Sequence, residues 1–79
     1  MNLYLLTRPE DGQAGWDEYV GAVVAARTAE DARHTHPRGG EQVAEFNTWI
    51  PPDKVIVRLI GIADPSVAPG VVMDSFNAR

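Results

Sequence analysis

The apolar positions of this chain fall into short runs punctuated by proline and glycine. Leu3, Tyr4, Leu5 and Leu6 make the first run, within Asn2–Thr7. Pro9 closes it, because proline has no amide to give to a strand ladder. This pattern predicts a first strand. Asp11-Gly12 and Gly15 mark Glu10–Gly15 as a loop. In Asp17–Arg27, the residues Tyr19, Val20, Val23 and Val24 favour a strand. Its even positions, Val20, Ala22, Val24 and Ala26, are all apolar and are expected to face the core. Ala22–Ala26 suits a helix as well, since alanine is the best helix former.

Thr28-Ala29-Glu30-Asp31 is close to a capping box. The Thr28 hydroxyl is placed to accept from the Asp31 amide, and both acids suit the positive end of a helix. That helix should run from Ala29 to about His34 or Thr35. It stops before Pro37, because a residue preceding proline avoids the α region. Gly39-Gly40 then breaks the chain direction. Glu41–Ile50 reads equally as an irregular segment or a strand, and Pro51-Pro52 forbids continuation. Lys54–Ala63 is rich in Val, Ile and Leu, with Val55, Val57 and Leu59 expected on one face and Ile56, Ile60 and Ile62 on the other. Apolar residues on both faces imply a central strand or a subunit contact. Asp64–Gly70 is a loop, and Val71–Ala78 a last strand. The expected fold class is therefore α+β: three or four mostly antiparallel strands with one helix packed on a face.

Length makes this one domain, 1–79. A domain of this size buries only about 60% of the surface that its unfolded chain exposes. With no cysteine, neither a disulfide nor a thiolate metal site supplements the core, and a reducing compartment suits the chain. The longest apolar run, Tyr19–Ala26, falls far short of the roughly 18 residues of a membrane span, and the first residues do not resemble a signal peptide. The expectation is a soluble, complete, cytoplasmic protein. Eleven acidic residues against 7 basic ones give a net charge of −4. The cations are scattered, which disfavours nucleic-acid binding. The acids are scattered too, which weakens DNA mimicry.

The candidate chemistry is sparse. His34 and His36 lie two apart, pointing about 200° from each other on a helix, so they form no shared metal site there; if the helix has ended by then, the extended geometry lets both bind one metal. The bland reading is a pair of histidines favouring a helix C-terminus. Arg33, His36 and Arg38 suggest a site for phosphate or carboxylate; otherwise they are a solvated helix end, with Arg33 pairing Glu30 or Asp31. Trp16-Asp17-Glu18-Tyr19 sets two large rings beside two carboxylates, and Trp49 precedes a double proline. Such rings anchor partners, or simply fill a core. In the ending Ser75-Phe76-Asn77-Ala78-Arg79, Phe76 is expected to anchor a polar tail. The chain has no P-loop, no dinucleotide glycine pattern and no nucleophile elbow. No cofactor or metal is expected.

Several short pieces recur in a fixed order: Leu3-Tyr4-Leu5, Trp16-Asp17-Glu18-Tyr19, Val23-Val24-Ala25-Ala26, Ala32-Arg33 with His36-Pro37, Trp49 with Pro52, Val55–Gly61, and Gly70-Val71-Val72 with Ser75-Phe76-Asn77-Ala78. Together they resemble small uncharacterised proteins of bacteriophage and prophage genomes. The resemblance implies an accessory protein acting inside a bacterial host cell, and it brings no catalytic residue with it.

Three readings follow. The leading one is a non-enzymatic binding protein that uses Trp16, Tyr19, Arg33, His36, Arg38, Ser75, Asn77 and Arg79 along one rim of the sheet. Its partner would be a host protein or a small anionic ligand such as a signalling nucleotide. The second is a minimal hydrolase with His36 as general base and Arg33 as electrophilic stabiliser. The third is a homo-oligomeric assembly subunit, suggested by the two-faced strand Lys54–Ala63. Converging aromatic and arginine side chains would favour a small ligand. A flat apolar face including Ile56, Ile60 and Ile62 would favour a protein partner or a second copy.

Overall fold

A computed structural model of the protein describes residues 1–9, 18–39 and 49–77. The elements are β1 (Asn2–Thr7), β2 (Glu18–Ala26), α1 (Ala29–Arg33), β3 (Ile56–Ile62) and β4 (Gly70–Asn77). Among the described residues the strands form one antiparallel sheet in the order β3-β1-β2-β4, with α1 packed on one face. This is the expected α+β architecture. Ala22–Ala26 belongs to a strand, paired along its length with β1. The valines around the alanines, and a partner strand on each side, outweigh alanine's helical preference.

Alternation along β1 and β2 builds the core. Tyr4 and Leu6 from β1, and Ala22, Val24 and Ala26 from β2, point to the helix side and are buried. Ala32 of α1, Trp49 and Val55 close over them. Thr28 caps α1 as its sequence implies, its hydroxyl accepting from the Asp31 amide at 3.1 Å. The helix ends at Arg33, with His34 as its C-cap. Pro52–Lys54 is a single 3-10 turn that takes up the start of the expected Lys54–Ala63 strand. Of the expected Glu41–Ile50 segment, all but Trp49 and Ile50 lie outside the described residues, as does the Glu10–Gly15 loop.

Two expectations are corrected. Val20 does not face the core. Tyr19 lies opposite Phe76 and Gly21 opposite Ser75, so Val20 is an extra residue, a bulge, and is exposed. Nor is β3 central. It is an edge strand paired with β1 alone among the described residues, and β1 and β2 hold the centre. Its facing pattern also breaks. Leu3 lies opposite Gly61 and Tyr4 opposite Leu59, which leaves Ile60 as a second bulge, and Leu59 is 60% exposed instead of joining Val55 and Val57. A third bulge sits in β4, where Val23 pairs with Met73 and Val24 with Val71, leaving Val72 extra. β4 starts at Gly70, whose φ of 133° requires glycine.

Candidate functional site

The residues expected on the rim go to different tasks. Arg33 is structural. Its guanidinium donates to the carbonyls of Pro52 at 3.1 Å and Val55 at 2.6 Å, tying α1 to the approach of β3. The local ion pair to Glu30 is long, at 3.9 Å. His36 is only 3% exposed. Its Nδ1 accepts from the Arg38 amide at 3.0 Å, and its ring meets the Tyr19 ring edge-on with centroids 5.6 Å apart. Burial, and then the nearby Arg38 charge, hold the His36 imidazole below the usual histidine range.

Tyr19 in turn packs edge-on against Phe76 at 4.8 Å. Phe76 anchors the end of β4 as expected, although it remains partly exposed. Arg38 is exposed. Ser75 is exposed on β4 opposite Gly21. Asn77 ends β4, with its backbone paired to Glu18. The side chain of Asn77, together with Trp16 and Arg79, lies outside the described residues. Tyr19, His36 and Phe76 are thus brought together as packed rings. Arg33 is committed to carbonyls elsewhere. His34, at the C-cap, donates from Nδ1 to the Glu30 carbonyl at 2.9 Å. No group of three or more His, Asp or Glu among the described residues is placed to hold a metal ion.

One structural residue gave no signal in the sequence. Arg8 follows β1 as a simple interruption of the apolar run, yet its side chain is nearly buried. Its Nε donates to the Tyr19 carbonyl at 2.6 Å, its Nη2 to Glu18 at 3.0 Å, and the guanidinium lies over the Trp49 ring at 5.3 Å. The antiparallel register of β1 and β2 sets Arg8 beside Glu18 and Tyr19, so the charge pair was visible only once that pairing was known. Trp49 is core, and its indole N–H has no hydrogen-bond partner among the described residues.

The opposite face of the sheet has a different character. Cross-strand partners share a face. Leu5 therefore stands in one transverse row with Arg58, Val23 and Met73, and Thr7 in another with Ile56, Gly21 and Ser75. Val20, Ile56 and Met73 are exposed, and Met73 is 68% so. Gly21 forms the floor of a shallow groove of about 250 Å³, walled by Leu5, Val20, Val23 and Met73 and bordered by Asp74. Only glycine fits there, because a Cβ would sit 2.6 Å from the Leu6 carbonyl oxygen. On the other side of the molecule, a cleft of about 580 Å³ between α1 and the start of β4 is lined by Arg27, Asp31, His34, Thr35 and Pro69.

No family model, no curated protein and no solved structure matches the chain. No helix among the described residues is long and apolar enough to cross a membrane.

Proposed function

We propose that this chain is a non-enzymatic binding protein whose working surface is the open face of its sheet, not the rim of polar residues. The observation that carries this reading is the exposure of Val20, Ile56 and Met73 on one side, around an apolar groove over Gly21. Contiguous apolar surface of this kind marks an interaction site for protein. The resemblance to phage proteins makes a host component inside the bacterial cell the natural partner.

The test separates a working surface from a core. Met73→Lys and Ile56→Lys are expected to leave the melting temperature within a few degrees of wild type. They should also reduce binding of an apolar fluorescent dye at sub-micromolar protein by at least half. A melting temperature that falls as far as it does for a core substitution would refute the reading.

The second reading is sequestration or hydrolysis of a small anionic ligand. The cleft holding Arg27 and His34 supports it. Asp31 in the same wall opposes an anion, and Arg33 is spent on carbonyls. Calorimetric titration with a panel of nucleotides, with phosphate release followed in parallel, tests it. Heat of binding that disappears in Arg27→Ala would favour this reading over the first.

A further inference from the structure

The two edges of the sheet differ. β4, at one edge, is interrupted early by the bulge at Val72. Its regular stretch then carries Asp74 on the helix side, opposite Ala22, and Ser75 on the open side, opposite Gly21. Charged and polar side chains of this kind blunt an edge against further strands. β3, at the other edge, starts differently. Ile56, Val57, Arg58 and Leu59 pair in regular register with Thr7, Leu6, Leu5 and Tyr4, and the bulge comes only at Ile60. No described residue pairs with the outer side of this stretch.

Cross-strand partners share a face. Ile56 and Arg58 therefore stand on the open side with Thr7 and Leu5, and Val57 and Leu59 on the helix side with Leu6 and Tyr4. Ile56, Arg58 and Leu59 are exposed. A strand with apolar residues on both faces reads as the interior of a sheet. β1 fills one flank of β3, and the other is an unpaired template of amides and carbonyls.

Charge decides what fits that template. From Lys54 to Ala63 the chain has two cations, Lys54 and Arg58, and no acid, although its net charge is −4. Arg58 makes no hydrogen bond or ion pair with a described residue. A strand added along Ile56–Leu59 sets one side chain directly beside Arg58, and its other side chains beside Ile56, Val57 and Leu59. An acid beside Arg58 completes a match that a second copy does not make. With the faces kept in step, two-fold antiparallel pairing of this stretch with itself sets Arg58 opposite Arg58 or opposite Ile56. β4 of a second copy, continuing the same antiparallel sheet, carries Asp74 on the side away from Arg58.

We propose that the free edge of β3 along Ile56–Leu59 takes an added antiparallel strand from a partner protein, an extended apolar segment with one acidic residue beside Arg58. Main-chain bonds to the edge supply affinity, and the acid supplies selectivity. The bulge at Ile60 ends the pairing. The site is the edge of the sheet, so it does not depend on the open face being the working surface.

The test uses a capped, fluorophore-labelled peptide, Thr-Val-Glu-Val-Ile-Thr, whose central four residues face Leu59, Arg58, Val57 and Ile56 in that order. Anisotropy should show saturable binding, about tenfold weaker when Lys replaces the peptide's Glu. Arg58→Glu should reverse that preference at an unchanged melting temperature. Two further peptides, N-methylated at alternate residues, separate edge pairing from adhesion to the open face. The one that loses its amides towards β3 should lose binding, and the other should keep it. Hydrogen exchange at Ile56–Leu59 should slow when peptide is added. Equal binding of the two N-methylated peptides, or no binding up to about 1 mM peptide, overturns the added strand. Equal binding of the Glu and Lys peptides overturns the acidic partner. Edge amides already protected in the free monomer overturn the vacancy, because another part of the chain then holds the edge. A dimer that the peptide does not dissociate gives the edge to a second copy and overturns the proposal as well. None of these results alters the dye and melting test of the open face.

Discussion

The two faces of the sheet come from the same strands and obey different rules. On the helix side, Tyr4, Leu6, Ala22, Val24 and Ala26 are sealed by Ala32, Trp49 and Val55, and the polar groups at the margin are put to structural use. Arg33 and Arg8 donate to backbone carbonyls, and His36 accepts from a backbone amide. On the open side, apolar residues of similar kind stand uncovered, and Arg58 beside them makes no ion pair with a described residue. Hydrophobicity alone therefore does not separate core from surface in this protein. What separates them is whether something lies over the side chain, and whether the polar groups beside it are satisfied within the chain.

Substitutions of similar chemistry on the two faces give the largest contrast. Leu6→Ala removes a fully buried side chain and should cost about 2–5 kcal/mol, from lost burial and the cavity left behind. Met73→Ala should stay within about 0.5 kcal/mol in dilute protein. Urea titration of both variants measures the difference, and equal losses would erase the distinction between the faces. Gly21→Ala tests the thin backbone layer between them. The added methyl meets the Leu6 carbonyl, which belongs to the sheet ladder and has little room to move. A loss of about 1–3 kcal/mol is expected from such overpacking. Retained stability would mean that β1 and β2 separate more easily than their pairing implies.

The helix side should also respond to pH. The His36 imidazole is held below its ordinary value by burial and then by Arg38, whereas in the unfolded chain it titrates near about 6.5. Between those two values the unfolded state binds more protons, so stability is present in full above about 6.5 and is lost as pH falls towards and through the folded value. Unfolding midpoints followed from neutral to mildly acidic pH should therefore decline, and His36→Gln should flatten the decline. An unchanged slope in that variant would assign the acid sensitivity to other groups. A smaller effect than at the core is expected at the cap. Thr28→Ala loses the bond to the Asp31 amide and should cost about 1 kcal/mol. Thermal melting should place it between Leu6→Ala and Met73→Ala.

The candidate site was only partly legible. His36 and Tyr19 stood out in the sequence as polar and aromatic groups close to structural breaks, and they do meet in space. Their meeting is ring packing in a closed environment, which composition does not distinguish from an open rim. In the sequence Arg33 reads either as part of an anion site or as a local partner of Glu30 or Asp31. Its true partners are the carbonyls of Pro52 and Val55, on a segment that tertiary folding brings to α1. Arg8 gave no signal for the same reason, since its partners lie 10 and 11 residues away across the β1–β2 pairing.

Local chemistry determined the elements themselves. A short apolar run defines β1 and alternation the inward side of β2, Thr28 and Asp31 start α1, and Pro37 lies just beyond its end, because propensity, capping and proline geometry act within a few residues. Only the tertiary structure decided which strands lie at the centre, where the three bulges fall, and which apolar residues remain uncovered. Lys54–Ala63 has the composition of a central strand. It lies at an edge because β1 has just two sides, and β2 occupies the other. Strand order and register are settled by pairings between distant segments, and one inserted residue, such as Val20, turns an inward position outward without any change in local pattern.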